Sequence, residues 1–247
     1  MTDYYSMKKP ILGFIMLFLI STVCHAQGRT AVGQEETAPE FHIDTALVVR
    51  MRYVANTVGP TMIHFADSIA MLHGGKVTPV NYKSFNSTIR KCNQEKVQAD
   101  EINDLVRCTI ACPYDSLHSM IADLVQTAKK KGIFKKYKHQ SYLDRGYWGD
   151  MVILNHGMVT SEIQVKSFYM AYANLDVNMV DFLGEDVCTK IKNETGLESG
   201  MSHHYYEIIR DATGKYSWED KNKAMEENTK YLHCFWEGYE KETVFYK

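Results

Sequence analysis

The chain has 247 residues, 45% of them hydrophobic and 23% charged, with a net charge of −2 at pH 7. Those fractions belong to a globular protein and exclude a disordered, collagen-like or multi-span membrane chain. The near-neutral balance also excludes the basic field that drives nucleic-acid binding, so no nucleic-acid partner is expected.

At the N-terminus, Lys8-Lys9 precedes the apolar run Ile11–Val23, and Cys24-His25-Ala26 then sets a small residue before Gln27. This is the pattern of a cleaved signal peptide over residues 1–26. A membrane span needs about 20 apolar residues, so no stable span is expected after processing. Acylation of Cys24 is the alternative. Both readings predict an exported chain, periplasmic or secreted, with net charge −3 once Lys8, Lys9 and Asp3 are removed. Residues 27–42 are polar and without periodicity, a flexible lead into a single domain over 43–247 with flanking helices.

Five cysteines then remain: Cys92, Cys108, Cys112, Cys188 and Cys234. Cys108 and Cys112 would share a strand face about 13 Å apart, too far for a disulfide. His203-His204 lacks the spacing of two ligands on one helix face, so buried free thiols are expected rather than zinc.

From Ile43 to His73 the apolar spacing is helical; Gly59-Pro60 predicts a break into two helices and Gly74-Gly75 the end of the second. Tyr82–Glu95 reads as a basic helix, Asp104–Cys112 as a strand and Ser116–Lys131 as an amphipathic helix. Gly132–Gln140 reads as a strand, and Gly149–Asn155 with Met158–Lys166 as a hairpin around Asn155-His156-Gly157. Phe168–Val180, Ser202–Ala212 and Trp218–Tyr239 read as helices. The order predicts an α+β fold, a mixed sheet flanked by helices with helical N- and C-terminal extensions.

Four segments in order resemble the synthetase domain of the RelA/SpoT family, the alarmone synthetases of nucleotidyltransferase-like fold. They are Lys83-Ser84-Phe85-Asn86-Ser87-Thr88-Ile89-Arg90-Lys91, Ile102-Asn103-Asp104-Leu105-Val106-Arg107-Cys108-Thr109-Ile110, Gly146-Tyr147 and Glu162-Ile163-Gln164-Val165. His203-His204-Tyr205-Tyr206-Glu207 is similar to the histidine-tyrosine helix that follows them in the family. The chain departs from the pattern at Asn81, Thr109 and Trp148, where the family carries arginines, and at Met151, where it carries histidine. Arg107 lies two residues before Thr109, on the same strand face, where it substitutes in part.

The resemblance implies transfer of pyrophosphate from ATP to the 3′-hydroxyl of a purine nucleotide. That chemistry needs cations on the phosphates, a metal between them and an in-line hydroxyl. Lys83 and Lys91, eight residues apart, would face the triphosphate from one helix. Asp104 and Glu162 would share Mg²⁺, with Glu162 also activating the hydroxyl as ligand or base. Tyr147 would stack on the acceptor purine, and Gln164 and His204 would orient the site. Lys129–Lys131, Lys135, Lys136 and Lys138 form a basic edge that either attracts an anionic nucleotide or is simply solvated. Taken singly, each of these residues is also an ordinary surface, capping or core group. Two expectations follow: a RelA/SpoT-like nucleotide pyrophosphokinase, or a non-catalytic exported envelope protein that keeps the fold as a nucleotide-binding or interaction module.

Overall fold

The computed structural model describes residues 41–240, without 143–146 and 212 and without the side chains of 140–142, 147–148 and 236–240. The expected signal peptide, most of the flexible lead and Gly146 lie outside the described residues. Helix α1 runs unbroken over Thr45–Ala70, capped by Asp44, whose Oδ1 accepts the Leu47 N–H at 2.9 Å. The predicted break at Gly59-Pro60 does not occur. Pro60 sits on the solvent side, where the carbonyl four residues earlier can be hydrated. Meanwhile Val48, Met51, Ala55, Met62, Phe65, Ala66 and Ile69 form one buried stripe that holds both halves in line. Gly59 lies on that stripe because a Cβ there would stand 1.9 Å from the Tyr82 hydroxyl oxygen. A 3₁₀ turn, Met71–His73, closes at Gly74 with φ 64°, as the glycine pair predicts.

Two short strands follow, β1 (Lys76–Val77) and β2 (Asn81–Tyr82), which the sequence reading did not separate from their surroundings. Helix α2 spans Phe85–Glu95, strand β3 Val106–Cys112 and helix α3 Leu117–Lys130. Strands β4 (Phe134–Tyr142), β5 (Tyr147–Asn155) and β6 (Thr160–Ser167) follow, with the tight turn after Asn155 as expected. The predicted helix 168–180 is two pieces, α4 (Phe168–Asn174) and α5 (Met179–Leu183), because Leu175 turns extended and Asn178 caps a new start. Helix α6 (Glu185–Thr195) is absent from the sequence reading; its 11 residues bury only Cys188 and Ile191, too few to print a clear period. Helices α7 (Met201–Ile209) and α8 (Trp218–Glu240) complete the described chain.

One mixed sheet organises these elements. Its order is β1-β3-β6-β5-β4, with β2 also paired to β3. β3 and β6 are parallel, and all other pairs are antiparallel. Val106, Cys108, Ile110, Ile163, Val165, Val152 and Leu154 alternate onto one face and join the core with α1 and α3. Helix α2 packs on α1, and α4 anchors α6, α7 and α8. The fold is thus a mixed α+β architecture with a central mixed sheet flanked by helices. Cys92, Cys108, Cys112 and Cys188 are buried free thiols and Cys234 an exposed one. Among the described residues no helix is long and apolar enough to cross a membrane.

Candidate active site

Strand register sets polar side chains in transverse rows on the sheet face opposite α1 and α3. Directly paired residues point to the same face. Glu162 of β6 pairs with Arg107 of β3 on one side and Ile153 of β5 on the other. Beyond them lie Asn81 of β2 and Lys136 of β4. The next row holds Thr109, Gln164, Met151 and Lys138. Met151 and Ile153 are buried yet stand outside the main core cluster, as this placement requires.

At the N-terminal end of β3, three of the candidates meet. Asp104 lies in a turn two residues before β3, not at the strand start that its sequence context predicts. Its Oδ2 is 2.9 Å from Lys83 Nζ, and its Oδ1 accepts from Lys91 Nζ at 2.7 Å. Lys91 projects from the middle of α2, whereas Lys83 precedes the helix, since Ser84 is its N-cap. The expectation that both lysines ride one helix is therefore corrected. Lys83 is fixed instead by its backbone, whose N–H donates to the Leu105 carbonyl at 2.9 Å and whose carbonyl accepts from Arg52 Nε at 3.2 Å.

The charges in this clasp are mutually stabilised. Burial pushes the Asp104 carboxyl up, but the Lys83 and Lys91 charges outweigh it and hold the group below the usual carboxylate range. Burial likewise lowers Lys91, and Asp104, Glu95 and Glu162 together bring it above the ordinary lysine value. Glu162 therefore lies within electrostatic reach of the clasp. Its Oε1 accepts from Gln164 Nε2 at 2.8 Å.

Lys166, two further along the same face of β6, is 2% exposed. Burial lowers it to about 8, with Glu162 raising it and Arg107 lowering it further. Sequence reasoning passed over Lys166, although the period-two alternation 162, 164, 166 was a signal for it. Arg107 is half-buried, and its side chain makes no hydrogen bond or ion pair with any described residue. Its five donors stand between Glu162 and Asn81.

The remaining candidates lie elsewhere. Tyr147 opens β5, and its side chain falls outside the described residues. His204 is exposed on α7, a helix packed chiefly on α4 and α8, with its ring 5.8 Å from that of Tyr205. Thr109 is buried and tied by its N–H to Thr78 Oγ1 at 2.9 Å. Asp104 and Glu162 each carry hard oxygen donors of the kind Mg²⁺ takes, and among the described residues no group of three or more His, Cys, Asp or Glu side chains is placed to hold a metal ion.

No family model matches the chain. The (p)ppApp synthetase toxin Tas1 of Pseudomonas aeruginosa (strain UCBPP-PA14) is 30% identical over 148 residues, 59% of this chain and 33% of that protein. The chain thus matches about a third of the length of that curated relative. A chain in the crystal structure of the complex between the Type VI effector Tas1 and its immunity protein superposes with a TM-score of 0.60 at 26% identity. The match covers 76% of this chain and 95% of that one. The small alarmone synthetase 1 from Bacillus subtilis is 12% identical, with a TM-score of 0.45 over 81% of this chain and 96% of its own. In sequence and in fold the chain is thus similar to Tas1 over the matched part of each.

Proposed function

We propose that the chain is a RelA/SpoT-like nucleotide pyrophosphokinase, moving pyrophosphate from ATP to the 3′-hydroxyl of a purine nucleotide. The observation that carries the reading is the convergence of Lys83, Lys91 and Asp104 in one clasp, from which the charge of Glu162 is felt. These four residues come from three separate segments of the ordered RelA/SpoT-like series. The relative's name, a (p)ppApp synthetase toxin, directs the choice of acceptor toward an adenine nucleotide. A signal peptide over 1–26 is part of the proposal, and places the activity on a delivered or exported chain.

In the reaction the acceptor 3′-oxygen bonds to the β-phosphorus of ATP. The bond from the α,β-bridging oxygen to that phosphorus breaks, AMP leaves with the electron pair, and the hydroxyl proton passes to a base. Lys83 and Lys91 exchange Asp104 for phosphate oxygens of the donor, as charge-assisted donors. Asp104 and Glu162 would hold Mg²⁺, which when bound supplies charge neutralisation between the phosphates. Glu162 takes the proton, held by the Gln164 amide in one orientation. Gln164, bonded to Glu162, orients the ribose, and the resemblance assigns Tyr147 to stacking on the acceptor base, whereas His204, exposed on α7, takes no step here.

A second reading, a non-catalytic exported module, is favoured by Asn81, Thr109 and Met151, which put no cation at three positions on the site face. One experiment separates the two. Purified chain is incubated with γ-labelled ATP, Mg²⁺ and either guanine or adenine nucleotides, and the products are resolved. Label on the acceptor with matching AMP release supports the enzyme. No transfer to any purine nucleotide, with nucleotide binding retained, leaves the module.

A further inference from the structure

Lys83 draws the support for its backbone from outside its own stretch of chain. Strand β2 ends at Tyr82 and helix α2 begins at Phe85, so Lys83 belongs to neither. Its neighbours Tyr82 and Ser84 are exposed. By contrast, Lys91 stands in mid-helix beside buried Cys92, and Asp104 lies between buried Ile102 and Leu105. The first bond of α2 runs from the Thr88 N–H to the Ser84 carbonyl, which leaves the Lys83 carbonyl outside the helix ladder. Arg52 Nε, 3.2 Å away, is the donor that reaches it.

Arg52 belongs to α1, which packs on the core face of the sheet, opposite the face of Glu162 and Gln164. Strand β2 pairs with β3 alone, and past its end the guanidinium meets the Lys83 backbone. Arg52 is half-buried, and its two terminal nitrogens make no hydrogen bond or ion pair with any described residue. A cation that gives up water without a carboxylate partner bears a cost. The residue it touches is itself a cation, so the placement adds like charge and does not relieve it. Arg50, two residues earlier on α1, shows the ordinary arrangement and is exposed. What Arg52 obtains in return is one charge-assisted hydrogen bond, about twice as strong as a neutral one, on a single backbone carbonyl.

We propose that Arg52 is a positioning residue for the donor nucleotide: it clamps the strand-to-helix junction from which Lys83 reaches first Asp104 and then the donor's phosphates. The Lys83 N–H is held by the Leu105 carbonyl and the Lys83 carbonyl by Arg52, so both ends of the residue are fixed. The ammonium then exchanges carboxylate for phosphate by side-chain rotation alone, with no rearrangement of the backbone. Precision of this kind matters, since a misplacement of about 1 Å costs on the order of 10²-fold in a transfer step. The clamp also makes α1, a helix on the far face of the sheet, a working part of the site.

The link to a donor nucleotide rests on the pyrophosphokinase reading, and the test keeps the two separable. Calorimetry on the intact chain measures a non-transferable ATP analogue with Mg²⁺. It compares wild type, Arg52→Met, Arg52→Gln, Arg50→Met, and Lys83→Met with and without Arg52→Met. Arg52→Met is expected to weaken binding by about tenfold, and Arg50→Met, which removes the same charge, by less than about twofold. Arg52→Gln keeps an N–H for the carbonyl and recovers most of the loss. In the Lys83→Met background Arg52→Met adds nothing, because the two residues act in series. Amide hydrogen exchange of the ligand-free chain quickens at Lys83 in Arg52→Met and stays unchanged along β3. Unchanged affinity in Arg52→Met overturns the proposal, as does an equal further loss in the Lys83→Met background, the mark of a merely structural role. Equal loss in Arg52→Gln also overturns it, since the charge and not the bond would then matter. If wild type binds no nucleotide, the pyrophosphokinase reading fails and the exchange alone decides: quickening at Lys83 upholds the clamp, and its absence removes it.

Discussion

Replacing Asp104 with asparagine keeps the shape of the clasp and removes the carboxylate that both ammonium groups share, leaving Lys91 with the more exposed Glu95 at 3.6 Å. Side-chain exposures of 16% for Lys83, 27% for Lys91 and 11% for Asp104 put the triad between the buried and surface regimes. Removing one partner of a fully buried pair costs about 3–5 kcal/mol, and of an exposed pair below about 1 kcal/mol. Lys83 and Lys91 can swing partly into water, so Asp104→Asn is expected to lower unfolding free energy by about 2 kcal/mol. For a chain of this size that is a fall in Tm of about 4–8 °C.

The same substitution frees both lysines for phosphate. Metal-free tripolyphosphate should therefore stabilise Asp104→Asn more than wild type, by mass action on the native state. The pH dependence has a defined sign. Because the Asp104 carboxyl is held below its ordinary value, its contribution is present above the unfolded carboxylate pKa and fades as pH falls through the lower native one. Because Lys91 is held above its ordinary value, its contribution is complete below the unfolded lysine pKa and fades as pH rises through the higher native one. Chemical denaturation of wild type, Asp104→Asn and Lys83→Met/Lys91→Met/Asp104→Asn measures all of this, with the triple variant expected to recover most of the loss. Wild-type stability in the single variant, or no recovery in the triple, would refute the charge argument.

Three further outcomes are expected. Glu162→Gln should reduce transfer by roughly 10²–10⁴-fold while ATP-analogue affinity, read by calorimetry, stays within a few-fold of wild type. Arg107→Ala should lower kcat/KM by about 10²–10³, and adding Asn81→Arg, its cross-strand partner, should recover at least a tenth of that activity; steady-state kinetics of the pair decide whether a guanidinium at this point of the face is what matters. Lys166, lowered to about 8 from 10.5, binds fewer protons folded than unfolded, so wild-type stability relative to Lys166→Met should improve by about 3 kcal/mol between pH 8 and pH 10.5; parallel denaturation curves at the two pH values check it, and a flat difference would contradict it.

What the sequence made legible follows the strength of each physical signal. Strands β3 to β6 and the amphipathic α3 print legible patterns, and their predicted bounds fall within a few residues of those observed. The error at Gly59-Pro60 came from reading a local propensity without its packing. A glycine and a proline together mark a turn on propensity alone, yet here one admits Tyr82 and the other faces solvent on a helix held by seven buried side chains. Helix α6 buries too little to be seen, and Lys83 was placed on a helix because spacing alone cannot reveal that Ser84 caps it.

The site divides along the same line. Alternation along β6 already sets Glu162, Gln164 and Lys166 on one face, because period two needs no knowledge of neighbours. Which residues flank them depends on register, and register between β3 and β6 is decided by contacts 55 residues apart in sequence. The bulge at Lys135 is more hidden still, since one inserted residue exchanges the faces of Lys136 and Tyr137 while leaving composition and pattern unchanged. A run of lysines reads as a solvated edge until that single slip is known. Once it is known, Lys136 and Lys138 share the face of Glu162 while Lys135 stays exposed. Which face of the sheet these two lysines occupy then rests on one unpaired backbone position.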